Sequence, residues 1–446
     1  MTVAIGVDVG PTNTDAVLLV DGRPAHAVKV PSRPGDTVGS LVGAVGELPS
    51  AQRARARTLA VGLRDAARAV TGRSGLAQVG VLRIGGASAD AVRPLFGWPE
   101  ELRSAVCAGV ADVAGGSGLA PLDGAPLDEA AVAAFGAELA GRAEAFAVSS
   151  VFAPVDGAQE RAAAEILRAQ AGPDVPVLLS GAIGSLGLLQ RENATVLDAA
   201  LCLLVARVAD DLTAALPGLG LAPDADVLVT RHDGTLMSLE YLRRQPGLSL
   251  GSGPACTLRG AGLLAGIGDA VVIDVGERRA RVGALTGGYP REAAPGERIG
   301  GVPVSLRFPD LLTVDATAHR ELAEAADRMQ PAADRVPVIL VGGGAPQVPD
   351  TALPGCEVVR PGHGDVAGAF GAAASPVGGS CERIVQRPGA LDAVRDEVRQ
   401  LARASAVRAG ADPRRVRTVL DPEEYVPYLA GAVLLRARAF GPPSPL

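Results

Sequence analysis

Lysine is almost missing from this chain: of 42 basic residues, only Lys29 is not arginine. The replacement runs along the whole length, so it reads as a compositional bias that marks no single site. Aromatic residues make up 3%, which leaves Ala, Val and Leu to build the interior. The five cysteines, Cys107, Cys202, Cys256, Cys356 and Cys381, are widely spaced and form no Cys-x-x-Cys pair. That argues against a zinc site and fits buried thiols in a reducing cytoplasm. No stretch of 18 apolar residues is free of charge, so no membrane span is expected. The N-terminus enters an apolar strand pattern directly, without the features of a signal peptide. The net charge is −7 and the pI about 5.3, the wrong sign for a general nucleic-acid binder. Neither Gly-x-Ser-x-Gly nor His-Glu-x-x-His occurs, which speaks against a serine or zinc hydrolase.

What the chain does have is a patterned stretch from 5 to 20. Val3, Ile5, Val7 and Val9 alternate with small or polar residues, the period of a strand with one packed face. Asp8 stands near the strand end. Gly10 lets the backbone turn, and Thr12, Asn13 and Thr14 place hydroxyl, amide and backbone N–H groups in that turn. Such a turn can cradle phosphate oxygens while Asp8 holds a metal through water; a plain polar hairpin fits the same residues. A second copy, Ala270-Val-Val-Ile-Asp274-Val-Gly276, is followed by an apolar stretch from Val282. A third apolar stretch, from Val338, runs into Gly342, Gly343 and Gly344. Two Asp-x-Gly hairpins and a glycine triplet suggest two related domains facing each other across a nucleotide, the layout of actin, sugar kinases and heat-shock chaperones.

The 446 residues are 48% hydrophobic, enough for two or three domains with large cores. Strands are expected at 25–30, 79–84, 146–152, 175–179 and 226–230, and helices at 53–70, 127–145, 159–171 and 391–408. Their alternation is that of an α/β protein. Glycine-rich loops follow at 85–88 and 115–124. The motif 191–195 precedes a helical run expected at 196–216, near the boundary between the two domains. Strands at 416–420 and 432–437 close the chain.

The chain resembles the hydantoinase A / 5-oxoprolinase family, which includes N-methylhydantoinases and acetone-carboxylase-like subunits. The resemblance rests on an ordered set: Asp8-Val-Gly-Pro-Thr-Asn-Thr-Asp15, Arg191-Glu-Asn-Ala-Thr195, Asp233-Gly-Thr-Leu-Met237, Gly251-Ser-Gly-Pro254, Asp274-Val-Gly276, Ile299-Gly-Gly-Val302 and Val341-Gly-Gly-Gly344. It implies two RNase-H-like (actin-like) domains facing a central cleft, with mixed sheets flanked by helices. They are placed at residues 1–188 and 189–446, the second carrying the C-terminal helix and a two-strand extension. The implied chemistry is ATP-dependent opening of a cyclic amide such as a hydantoin or 5-oxoproline. Asp8 and Asp274 would hold Mg²⁺ through water. Gly10, Thr12, Asn13, Thr14 and Gly276 would line the phosphates, and Gly342 to Gly344 would pass close to the adenosine. Asp310 and Glu192 match motif positions and are either site carboxylates or structural ones. His232 is a general base or metal ligand, or else a locally bonded loop histidine. A B-type partner subunit or a homo-oligomer is also implied.

Three departures from the family pattern stand out. Pro11 replaces a second glycine and removes one N–H donor. The second loop reads Glu277-Arg278-Arg279-Ala280-Arg281 where the family has glycine, three hydroxyl residues and aspartate. Arg278 or Arg279 can pair with an anion bidentately, but an outward arrangement with a lost phosphate clamp is the expectation. A glycine-rich segment after Leu312 is also missing. The alternative reading is therefore a catalytically impaired member that binds a nucleotide, a small molecule or a partner subunit.

Overall fold

A computed structural model describes residues 2–85, 92–117, 124–183, 187–294, 296–331, 334–386, 391–426 and 431–444. Residues 86–88 and 118–123 of the two glycine-rich loops lie outside them.

Each of the repeated hairpins seeds a sheet. Val3–Val9 turns back antiparallel on Asn13–Val20, which pairs with Arg23–Pro31. On its other edge Val3–Val9 runs parallel to Thr58–Gly62, and that strand parallel to Asp226–Thr230. The second sheet repeats the plan. Ala270–Val275 turns back on Arg279–Thr286, which pairs with Leu311–Asp315. Its other edge runs parallel to Val338–Val341, and that strand parallel to Val358–Val359. The first strands of the two hairpins thus lie in separate sheets of one common strand order, as the sequence repeat predicts.

Leu236–Ser238 and four C-terminal strands, Val377–Gln386, Arg417–Leu420, Glu424–Tyr425 and Ala432–Gly441, extend the first sheet to ten strands. Sheet membership therefore cuts across the division expected at 188/189, because chain from beyond 226 and beyond 377 completes the sheet begun at Val3. Parallel neighbours require a crossover connection. The one between Thr58–Gly62 and Asp226–Thr230 carries a further sheet of four parallel strands, in the order Cys107–Val113, Val79–Ile84, Ala145–Ser150, Val177–Leu179. Every residue of its two central strands is buried, as expected of a parallel sheet covered on both faces.

Two small-residue helices join the main sheets. Ala367–Ala374 packs on the first sheet, Ser252–Ala265 on the second, and the two helices pack on each other. A Cβ on Gly260 would stand 1.9 Å from the Ala367 carbonyl oxygen, and one on Gly371 2.0 Å from that of Cys256. Backbone meets backbone at this crossing, and the C-terminal strand ends of both sheets are brought to one cleft.

Two expected helices differ. The stretch 53–70 is a short helix, Ser50–Arg53, then the strand Thr58–Gly62, then a helix, Asp65–Gly72. Its Ala and Arg content favours helix locally, but pairing between Val3–Val9 and Asp226–Thr230 overrides that propensity. The long helix starts at Leu188 and runs to Ala215, so the motif 191–195 lies inside it. Among the described residues, no helix is long and apolar enough to cross a membrane.

Candidate active site

The two hairpin turns are built alike. The Gly10 N–H donates to the Asn13 carbonyl at 2.9 Å, and the Gly276 N–H to that of Arg279 at 3.0 Å. Both turns open on a cleft of about 520 Å³, which also takes Asp8, Thr12, Asn13, Asp274 and Gly342 to Gly344 into its lining. Residues more than 260 positions apart thus face one space, because equivalent strands of two facing sheets end there.

Glycine is required around the carboxylates. Gly342 has φ +92°, and a Cβ there would lie 2.7 Å from Asp274 Oδ1. A Cβ on Gly368 would lie 2.7 Å from Asp8 Oδ2. Asp8 Oδ1 is buried with no hydrogen-bond partner among the described residues, while Oδ2 lies 3.4 Å from Arg64 Nη2. Asp274 Oδ2 lies 3.4 Å from Arg281 Nη1. Burial raises the Asp274 carboxyl above its ordinary range; Arg281 works against that, the charge of Asp8 adds to it, and Arg64 opposes it.

Several cleft residues were not anticipated. Asp15, the cross-strand partner of Asp8, is pushed up to about 6 by burial, against the pull of Lys29. Lys29 Nζ sits 2.7 Å from Asp15 and 3.3 Å from the Asp365 carbonyl oxygen. The only lysine of the chain is therefore a cleft residue. Arg64 and Arg281 were also missed. The hairpin register was the available signal for Arg281, since it places that residue opposite Asp274.

The arginine loop is only partly outward. Arg278 and Arg279 are both exposed, but Arg279 lines the cleft together with Arg281, and Arg278 does not. Opposite charge on Asp274 compensates Arg281. The Arg279 guanidinium has no ion pair among the described residues.

Four sequence candidates lie elsewhere. Thr14 is fully buried, its hydroxyl 2.8 Å from Ser32 Oγ, because the two-residue strand period turns it away from the side that Asn13 and Asp15 face. Asp310 pairs with Arg291 at 3.0 Å ahead of the strand Leu311–Asp315, outside the cleft. His232 is buried and lines a second cavity. Glu192 sits in a buried network: its two carboxylate oxygens each lie 2.7 Å from the Arg83 guanidinium, and Ser149 donates to it at 3.0 Å. Its neighbour Asn193 accepts from Trp98 Nε1 at 2.8 Å. This buried polar knot fastens the long helix to the inserted sheet.

Comparison with known proteins agrees with this architecture. No curated protein matches the sequence. A nucleotide-free acetone carboxylase structure shares the fold with a TM-score of 0.69 at 14% identity, over 100% of this chain and 88% of that one. The ATP-dependent caprolactamase from Pseudomonas jessenii does so with a TM-score of 0.73 at 15% identity, over 99% of this chain and 88% of that one. The model of the hydantoinase/oxoprolinase N-terminal region matches residues 4–171, and the hydantoinase/oxoprolinase model matches residues 191–330. The chain belongs to the hydantoinase/oxoprolinase family.

Proposed function

We propose that the chain is an ATP-linked enzyme that opens a cyclic amide, with the nucleotide held between the two hairpin turns. The observation that carries this reading is the convergence of Asp8, Asp274, both turns and the glycine triplet on one cleft. Support comes from the family and from the two ATP-dependent enzymes that share the fold.

The residues fit the group. Asp8 keeps a buried oxygen without a partner among the described residues, and Gly368 and Gly342 add no side chain where a Cβ would crowd Asp8 and Asp274. Among the described residues, no set of three or more His, Cys, Asp or Glu forms a metal cage. A pair of carboxylates suits Mg²⁺, which keeps several waters and takes other ligands from phosphate. Asp8 and Asp274 would hold it through water. Bound MgATP supplies the phosphoryl group that turns an amide oxygen into a leaving group. Thr12 and Asn13 present polar groups to the phosphates, and Arg279 presents an uncompensated cation in the place of the missing hydroxyls. The backbone of Gly342 to Gly344 gives the nucleoside a wall without side chains.

A second reading has its own observation. Arg281 occupies one oxygen of Asp274, which favours a member that binds nucleotide without turnover. Calorimetry with ATP and Mg²⁺, followed by phosphate release against hydantoins and 5-oxoproline, separates the two. Binding with amide-stimulated release supports the enzyme, binding without release supports the impaired member, and no binding refutes both.

A further inference from the structure

A second cavity, of about 280 Å³, lies at the end of the strand Asp226–Thr230. Across the first sheet Asp8 is level with Gly62, and Val61 with Val229. Two strand spacings, about 10 Å, therefore separate Asp8 from the strand Asp226–Thr230, at whose end this cavity lies. Both spaces lie outside the carboxyl ends of strands of the first sheet, where ligands bind in open α/β sheets.

The cavity wall holds unpaired polar atoms. Arg231 and His232 are 2% and 7% exposed. Arg231 Nε, His232 Nδ1 and Ser305 Oγ are all buried without a hydrogen-bond partner among the described residues. Leaving such atoms unpaired is costly, and all three belong to residues that line this one cavity.

The three groups differ in what they can bond. The Arg231 guanidinium is anchored through its other nitrogens, to the Gly378 carbonyl and to Asp233 at 3.4 Å, so Nε–H remains as a donor. The His232 ring stands edge-on to Phe308 at 6.0 Å. Burial pushes the imidazole below its ordinary range, which favours the neutral ring, and the unprotonated nitrogen of a neutral ring accepts. Consecutive residues thus offer a donor, Arg231 Nε–H, and, in the tautomer with its proton on Nε2, an acceptor, His232 Nδ1, with Ser305, Leu248 and Leu306 lining the same cavity.

A ring forces its amide to be cis, so that N–H and C=O share one edge. An open-chain secondary amide is trans and points them to opposite sides. We propose that this cavity receives the cyclic amide, with His232 Nδ1 accepting the ring N–H and Arg231 Nε donating to the carbonyl oxygen. Ser305 gives the same oxygen a second donor, and Leu248 and Leu306 take the ring methylenes. The inference rests on the cyclic-amide reading given above and names the residues that would select it.

The test is binding of 2-pyrrolidinone and hydantoin to the full chain, with and without Mg²⁺ and a non-hydrolysable ATP analogue, followed by calorimetry and ligand-observed NMR. Saturable lactam binding is expected. N-methyl-2-pyrrolidinone, which lacks the N–H, and the trans amide N-methylacetamide should bind at least tenfold more weakly. His232→Ala should weaken lactam binding tenfold or more, Ser305→Ala several-fold, and Leu306→Trp should abolish it by filling the space. Retained affinity for the ATP analogue in all three variants reports an intact fold. Lactam binding unchanged in His232→Ala and Leu306→Trp would overturn this site and leave the cyclic-amide reading standing. A protein that binds the ATP analogue but no lactam under either condition would overturn both.

Discussion

Arg281 lies 3.4 Å from Asp274, in the cross-strand position that Asp15 holds opposite Asp8 in the first hairpin. The two halves of the cleft share a backbone plan but not a charge plan. In the first, the Asp15 carboxyl faces Asp8, and Lys29 balances it from the next strand. In the second, an arginine faces the aspartate directly, and Arg279 adds a further cation at the turn. The loop that departs most from the family pattern has thus become basic on the side that faces the cleft.

Arg279 and Arg278 should therefore behave differently. A charge-assisted hydrogen bond contributes roughly 1.5–3 kcal/mol, so Arg279→Ala should weaken MgATP binding by about ten- to a hundredfold. Arg278→Ala should leave it within about twofold. Calorimetry on both variants decides the matter, and equal effects would mean that the loop adopts another arrangement when nucleotide is bound.

Glu192 should matter for stability and not for phosphate chemistry. It is buried against Arg83 by two 2.7 Å contacts, and removing one partner of such a pair costs about 3–5 kcal/mol. Denaturant unfolding of Glu192→Ala should show a loss of that order. A loss below about 1 kcal/mol would indicate that solvent or another group compensates Arg83.

Asp198 should make stability depend on pH. Burial pushes its carboxyl up to about 7, although it accepts a bond from the Gly247 N–H. A carboxyl raised above its unfolded value of 3.8 binds its proton more tightly in the folded state. Its contribution is fully favourable below about pH 4, declines as pH rises, and becomes a full penalty above about pH 7. Asp198→Asn keeps an oxygen for Gly247 and removes the titration. The variant should be more stable than the parent at pH 8, by on the order of a few kcal/mol, and the difference should shrink steadily toward pH 4. A difference independent of pH would show that Asp198 ionises normally.

Much of the cleft was readable because its parts are local. An Asp-x-Gly turn between alternating apolar residues is written in a dozen positions, and so is a buried strand that ends in three glycines. The pairing of the two halves followed from their repetition. What escaped depends on distant chain. Thr58–Gly62 looks helical in its own Ala- and Arg-rich neighbourhood and is a strand only because two others flank it. Glu192 and Asp310 resembled site carboxylates until their partners, Arg83 and Arg291, came into place. His232 was singled out, but the cavity it lines takes residues from Pro154 to Arg436, and no local pattern records such a set.

Phosphate release by the full chain with ATP, Mg²⁺ and a panel of hydantoins and 5-oxoproline tests the central claim most directly, run beside Asp8→Asn and Asp274→Asn. Release stimulated by at least one cyclic amide is predicted, with a loss of two or more orders of magnitude in each variant, as expected when a charge that stabilises a phosphoryl transition state is removed. Tight MgATP binding with no release against any amide, or release that persists unchanged in Asp8→Asn, would contradict it.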